Sequence, residues 1–305
     1  MKWIIILLVI TAIVVPYVSY NFDDPLTAEQ WRVLELCLWI ATAMGTGVFV
    51  VSAVSDNYSQ VDKLWSVMPA VYAWVIYAEG GKTPRQLVMA SLITVWGIRL
   101  TYNFARKGGY SWKFWEGEED YRWVHVRKIP FVGSKVGWFL FNLIFISFYQ
   151  AYLIMGFTLP MILTVSTVQT ELGVVDSSAI ILIASLIVFE TMADEQQQAF
   201  QNEKYRIINA KEPMHEPFKT GFITSGLFAY CRHPNYLCEQ AIWASLYLFS
   251  IAATGKVINW TLTGALLLIL LFQGSGIFTE IISAQKYPKY KEYQAKVPMF
   301  IPRLF

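Results

Sequence analysis

The apolar residues of this chain are gathered into runs about as long as a bilayer is thick, and no other feature restricts its possible folds so strongly. A membrane-spanning helix needs about 20 predominantly apolar residues, with every backbone N–H and C=O satisfied inside the segment. Eight runs qualify: about 3–19, 32–54, 62–79, 86–106, 135–164, 176–203, 235–253 and 258–285. With 55% hydrophobic and 15% charged residues, the composition is too apolar for an ordinary soluble domain. The 16% of aromatic residues, 12 Trp among them, suits belts at two membrane interfaces. The expected fold class is therefore all-α, a polytopic membrane helix bundle of about eight spans (seven to nine). The first run, MKWIIILLVITAIVVPYVSY, shows no small-x-small cleavage site before Asn21 and reads as a membrane helix rather than a secretory leader.

Charge placement orients the bundle. With eight spans, 19 Lys and Arg fall on the side that holds both termini, against four (Arg32, Lys82, Arg85 and Lys256) on the other. The positive-inside rule then makes both termini cytoplasmic. The sequon Asn57-Tyr58-Ser59 faces the cytoplasm in this arrangement and should stay unmodified. A net charge of +2, with the basic residues scattered among acids and aromatics, gives no footprint for nucleic acid.

Ionisable groups inside spans are costly and mark a pathway, a pocket or a pair. Glu190, Asp194, Gln197 and Gln201 are spaced four, three and four apart, on one helical face. Arg99, Asn103 and Arg106 repeat that spacing; Asn235 and Glu239 lie one turn apart; Gln273, Gly276 and Glu280 follow, and Asp62 and Ser66 open the third run. All belong to the cytoplasmic halves of their helices, so five helices are expected to point polar faces at one cavity, with internal ion pairs such as Arg99 with Glu190 as the plainer explanation. The facing loops carry Arg106, Lys107, Lys204, Arg232 and further cations, which suit a phosphate-bearing ligand and are also ordinary for cytoplasmic loops. No metal is expected. Three cysteines (Cys37, Cys231 and Cys238) give no disulfide framework, and the spacing C-x-H-x4-C around His233 lacks a fourth ligand.

The segment GLFAYCRHPNYLCEQAIW (226–243) resembles the steroid 5α-reductase-like family, in a branch distinct from the steroid enzymes. KYPKYKEYQAKVPMFIPRLF (286–305), QVDKLWSVMPAVYAW (60–74), TVWGIRLTYNFARKGGY (94–110) and EEDYRW (118–123) carry the same resemblance, from about residue 50 to the end. The R-H-P-N-Y block is shared in part with isoprenylcysteine carboxyl methyltransferases. The implied organisation is N-terminal transmembrane helices over 1–54 and a reductase-like membrane domain over 55–305, its cofactor site in the C-terminal part.

The resemblance implies NADPH as cofactor and reduction of a carbon–carbon double bond conjugated to a ketone. It places Asn235 and Glu239 near the nicotinamide and Asp194 at the family's acid position. Arg232, Tyr236, Glu280, Tyr287, Tyr290 and Tyr293 would hold ribose and phosphates, with Arg106 and Lys107 as further phosphate ligands. At the catalytic end the family's Gln-Glu pair is Val61-Asp62 here and its Tyr is Trp96, with Tyr102 as a possible substitute. Asp62, if burial raised its pKa, would donate to the carbonyl oxygen. The expected partners are membrane lipids and a lipophilic substrate entering from the bilayer: steroid, polyprenyl, fatty acyl or quinone-like. The expected location is the endoplasmic reticulum or a bacterial inner membrane. Two alternatives stand beside the reductase: an S-adenosylmethionine-dependent methyltransferase and a non-enzymatic lipid-binding protein.

Overall fold

The computed structural model describes residues 23–302 except 114 and 168–170, together with positions 9, 13, 17 and 21. The expected first span, 3–19, and both termini lie outside this description. The described residues contain helices and turns and no strand. Five helical stretches are long and apolar enough to cross a bilayer: Ala28–Ser55, Pro84–Ala105, Lys135–Thr164, Val174–Asn209 and Leu262–Lys286. They make this an integral membrane protein.

Helix α1 (Ala28–Ser55) and helix α4 (Pro84–Ala105) start in the same way. In each, a Thr caps the amide of a Gln three residues on, and that Gln accepts from the Thr amide. Such reciprocal capping satisfies two of the donors that a helix N-terminus leaves unbonded. The two glutamines also reach one place in the chain. Gln30 Nε2 donates to the Val165 carbonyl at 3.0 Å and Gln86 Nε2 to the Thr164 carbonyl at 3.2 Å.

Two of the eight expected runs are broken. The run at 62–79 becomes α2 (Gln60–Trp65) and α3 (Met68–Glu79), each below membrane length. Pro69, in the first turn of α3, has no N–H to return to the carbonyl of Trp65. The run at 235–253 becomes α9 (Pro234–Leu246) and α10 (Leu248–Thr254), joined at Tyr247. There the Ser250 amide bonds the Tyr247 carbonyl at 3.0 Å, tightening one turn. The run at 135–164 holds but changes geometry along its length: α6 (Lys135–Phe141), a π-helical segment (Asn142–Tyr149), α7 (Gln150–Gly156) and a 3₁₀ segment (Leu159–Thr164). A short α5 (Arg122–Val126) precedes it. Helix α8 (Val174–Asn209), α11 (Leu262–Lys286) and α12 (Tyr290–Lys296) complete the chain.

The chain divides into two compact units. The N-terminal unit comprises 9–181 and 243–268. Its centre is aromatic: Trp96 meets Trp243 edge-on at 4.8 Å, and Trp243 meets Phe157 at 4.2 Å. A Cβ on Gly264 of α11 would overlap the carbonyl of Gly156 in α7, so these backbones approach without side chains between them. A fully buried pair, Arg85 with Asp176 at 2.7 and 2.9 Å, ties the first turn of α4 to that of α8. The C-terminal unit holds 182–242 and 269–305. Its small core is Ala193, Phe200, Ile223 and Phe228.

Candidate functional site

In the C-terminal unit, Pro234 opens α9, and its fixed φ suits a first helical position. Asn235 follows. Its Oδ1 accepts from the Tyr236 amide at 3.0 Å, which fixes the amide's orientation, and its Nδ2 donates to Asp194 Oδ1 of α8 at 3.3 Å. Glu239, one turn on, is 5% exposed, and Asp194 is 4% exposed. The next residue joins α9 to α11, as Gln273 Nε2 reaches Gln240 Oε1 at 3.5 Å. Three of the expected polar faces therefore meet within this unit. A carboxylate beside a carboxamide offers an acceptor next to a donor, the complement of an amide edge on a ligand.

Arg232 and Glu280 are engaged with each other. Arg232 Nε and Nη2 donate to the two Glu280 oxygens at 2.5 and 2.9 Å. Its Nη1 donates to the carbonyls of Gln294 and Val297. Glu280 also receives Gln294 Nε2 at 2.8 Å and faces His233 Nε2 at 3.0 Å. The amides of Arg232 and His233 bond the carbonyls of Pro298 and Met299. Arg232 thus spends four of its five N–H groups, two on Glu280 of α11 and two on the C-terminal segment, which it fastens near the start of α9. His233 serves the same joint and stacks on Tyr236 at 5.3 Å.

The tyrosines separate by role. Tyr290 and Tyr293 are buried, and with Tyr287 they surround Phe222 at 4.9 to 5.6 Å. The Tyr293 hydroxyl donates to the Phe228 carbonyl, and burial raises its pKa well above the usual phenol range. Tyr236 packs edge-on against Phe272 at 4.9 Å. Tyr287 is half-buried, with the ammonium groups of Lys204 and Lys286 both near its ring. The two cysteines of the R-H-P-N-Y segment are buried free thiols, and burial pushes Cys231 up to about 11.

In the N-terminal unit Asp62 lies on α2, outside the five membrane-length helices. Burial of its carboxyl, and next the Asp120 charge, push its pKa up to about 7, against smaller lowering influences from the Ser59 hydroxyl and Arg122. The segment 115–120 clasps α2 and the residues before it. Lys63 Nζ donates to the Glu116 carbonyl at 2.5 Å, Gln60 Nε2 to the Trp115 carbonyl at 2.9 Å, and the Asp120 amide to Ser59 Oγ at 2.9 Å. Ser66 bonds Thr101 of α4 at 2.6 Å, a contact made off the expected Arg99, Asn103 and Arg106 face. Beside the clasp is a cavity of about 710 Å³, walled by Val50, Val51 and Val54 of α1 and by Trp115. That volume falls in the range of small-molecule sites.

The other catalytic candidates sit differently. Trp96 is wholly enclosed in the aromatic centre. Tyr102 is 62% exposed, its ring under the Arg106 guanidinium at 5.4 Å, and Arg106 is further held by Asn103 Oδ1 at 2.8 and 3.0 Å. Lys107 is exposed in the turn after α4. The Tyr110 hydroxyl donates to the Lys63 carbonyl of α2 at 2.8 Å. Tyr110 and Gln294 were not among the expected site residues, although both fall inside segments that carry the family resemblance. Among the described residues no three His, Cys, Asp or Glu converge as metal ligands.

Apolar membrane-length helices, with an acid–amide contact at the start of α9, define the class as an integral membrane protein carrying a polar helix contact. Residues 48–297 match the family described as protein of unknown function (DUF1295), and the chain belongs to that family. It is also 37% identical over 281 residues to an uncharacterized protein of Schizosaccharomyces pombe, covering 88% of this chain and 79% of that protein. No solved structure matches it.

Proposed function

We propose that this protein is a membrane-embedded, NADPH-dependent reductase of a conjugated double bond in a lipophilic, steroid- or lipid-like substrate, within the steroid 5α-reductase-like group. The observation that carries the reading is the bond from Asn235 to the buried Asp194, with the buried Glu239 one turn on. This donor set fits a nicotinamide: Asp194 and Asn235 would hold the carboxamide and Glu239 would lie at the same end. Bound there, NADPH supplies a hydride for the β-carbon of the substrate. Arg232 and Glu280 act by holding the C-terminal segment in place. Tyr290 and Tyr293 pack the wall behind it.

Asp62 is the acid assigned to the carbonyl oxygen. A carboxyl with a pKa of about 7 holds its proton in about half of the molecules at neutral pH. It can hydrogen-bond a ketone and strengthen that bond as negative charge develops on the oxygen. Tyr102, facing out, and Trp96, enclosed by rings, are less suited to that role.

The second reading, a methyltransferase using S-adenosylmethionine, is favoured by the R-H-P-N-Y segment alone and gives the Asp194–Asn235 pair no particular ligand group. The test is ligand binding by the full-length protein in lipid nanodiscs, followed by nicotinamide fluorescence and thermal shift. NADPH should bind, and Asn235→Leu should weaken it by about tenfold, the worth of one buried hydrogen bond, while the unliganded melting temperature changes little. Binding of S-adenosylmethionine with neither NADPH nor NADH bound would replace the reductase by the transferase.

A further inference from the structure

Among the described residues, Lys204 is a cation buried without a counter-ion. It is 5% exposed, in a cage of three aromatic rings, with its Nζ 4.9 Å from the Tyr205 centroid, 5.9 Å from Tyr287 and 6.0 Å from Phe200. Its one hydrogen bond among the described residues is to the Gly221 carbonyl at 3.1 Å, which leaves two of three ammonium donors unused. No carboxylate is within ion-pair distance of it among the described residues. The acids closest in the chain, Glu203 and Glu212, are both taken by Arg206 at 2.8 and 2.9 Å.

A second cation, itself exposed, lies beside the same ring. Lys286 Nζ lies 5.3 Å from the centroid of the same Tyr287 ring. Ring faces offset part of the cost of burying an ammonium group, but they do nothing for the repulsion between two of them. The backbone is shaped to this cluster as well. Gly221 has φ +84°, and a Cβ there would overlap the Tyr287 ring, so glycine lets the loop bring its carbonyl to Lys204 while the ring stays in place.

We propose that Lys204 and Lys286, both beside the ring of Tyr287, form a binding subsite for a phosphate group. A phosphate supplies what the cluster lacks: negative charge for two cations and acceptors for the unused N–H groups. Lys204 lies ten residues along α8 from Asp194, a rise of about 15 Å. That separation is on the scale of an extended dinucleotide, so the subsite would take its phosphate end while Asp194 takes the other. Only the source of the phosphate rests on the reductase reading, because a phospholipid headgroup offers the same chemistry.

The experiment uses full-length protein in phosphatidylcholine nanodiscs, with inorganic pyrophosphate, NADPH and nanodisc-borne phosphatidate as separate probes. Pyrophosphate should raise the melting temperature of the wild type, and Lys204→Met/Lys286→Met should abolish that rise. Lys204→Arg, which keeps the charge, should retain it. If the phosphate comes from a dinucleotide, Lys204→Met weakens NADPH by about tenfold or more. If NADPH does not bind but pyrophosphate and phosphatidate both protect through Lys204, the subsite stands as a headgroup site and the reductase reading falls. Absence of pyrophosphate protection in the wild type, or equal protection in a double variant whose unliganded melting is unchanged, overturns the subsite whatever NADPH does. Should the double variant not fold, the single Lys286→Met protein decides in the same way.

Discussion

Arg232 donates to Glu280 and to two backbone carbonyls, whereas Lys204, equally enclosed, meets only ring faces and one carbonyl. The sequence offered both as phosphate ligands, since each is a cation near the same loop; only the geometry shows which has an acid beside it. Removing one partner of a buried pair leaves the other charge uncompensated, so Arg232→Ala should lose about 3–5 kcal/mol of stability. Thermal unfolding in detergent is the check, and Lys204→Met should show no comparable loss. Asp62 yields a pH prediction. Its folded pKa of about 7 exceeds the model-peptide value of 3.8, so between these values the folded state holds a proton that the unfolded state releases. Stability therefore falls as pH rises from about 4 to 7, and the deficit is complete above that. Asp62→Asn should match wild type near pH 4 and exceed it in melting temperature at pH 8. A parallel pH profile in both proteins would show that Asp62 is not so perturbed.

Helix ends and small residues carry the information at the next scale. The T-x-x-Q pattern at 27–30 and 83–86 is legible as a capping box, and both boxes are present. That their glutamines converge on the carbonyls of 164 and 165 is not legible, because nothing in a local pattern specifies a partner 78 or 135 residues away. Thr83→Ala should cost about 1 kcal/mol. The glycines differ in the same way. A Cβ on Gly264 overlaps the backbone of α7, whereas one on Gly47 meets nothing within 4 Å. Gly264→Val should therefore destabilise by about 1–3 kcal/mol or more through overpacking, and Gly47→Ala should be neutral or stabilising by up to about 1 kcal/mol. Paired unfolding curves of the two variants check both signs. Hydropathy counts the apolar residues in the runs at 62–79 and 235–253. It does not register that Pro69 and the turn at Tyr247 interrupt the hydrogen-bond ladder.

At the scale of the molecule, the all-helical membrane class was legible from run length, a consequence of the bilayer forbidding unsatisfied backbone. Five long apolar helices agree with it. One contact among the candidate site residues was legible too: Asp194 and Asn235, each on an expected polar face, meet at 3.3 Å, and Glu239 is buried a turn later. Arg85 went the other way. It was counted as a loop cation and is fully buried against Asp176, a pairing across 91 residues that charge counting along the chain does not capture. The central claim is hydride transfer from NADPH to a lipophilic double bond, and the most direct measurement follows the hydrogen itself. Wild-type protein is incubated in membranes with NADPH deuterated at the transferable position of the nicotinamide, and the extracted lipids are examined by mass spectrometry. The account predicts a lipid that gains one deuterium in the presence of the wild type and much less with Asp62→Asn. Unlabelled lipids with the wild type, alongside methyl transfer from labelled S-adenosylmethionine under the same conditions, would contradict it.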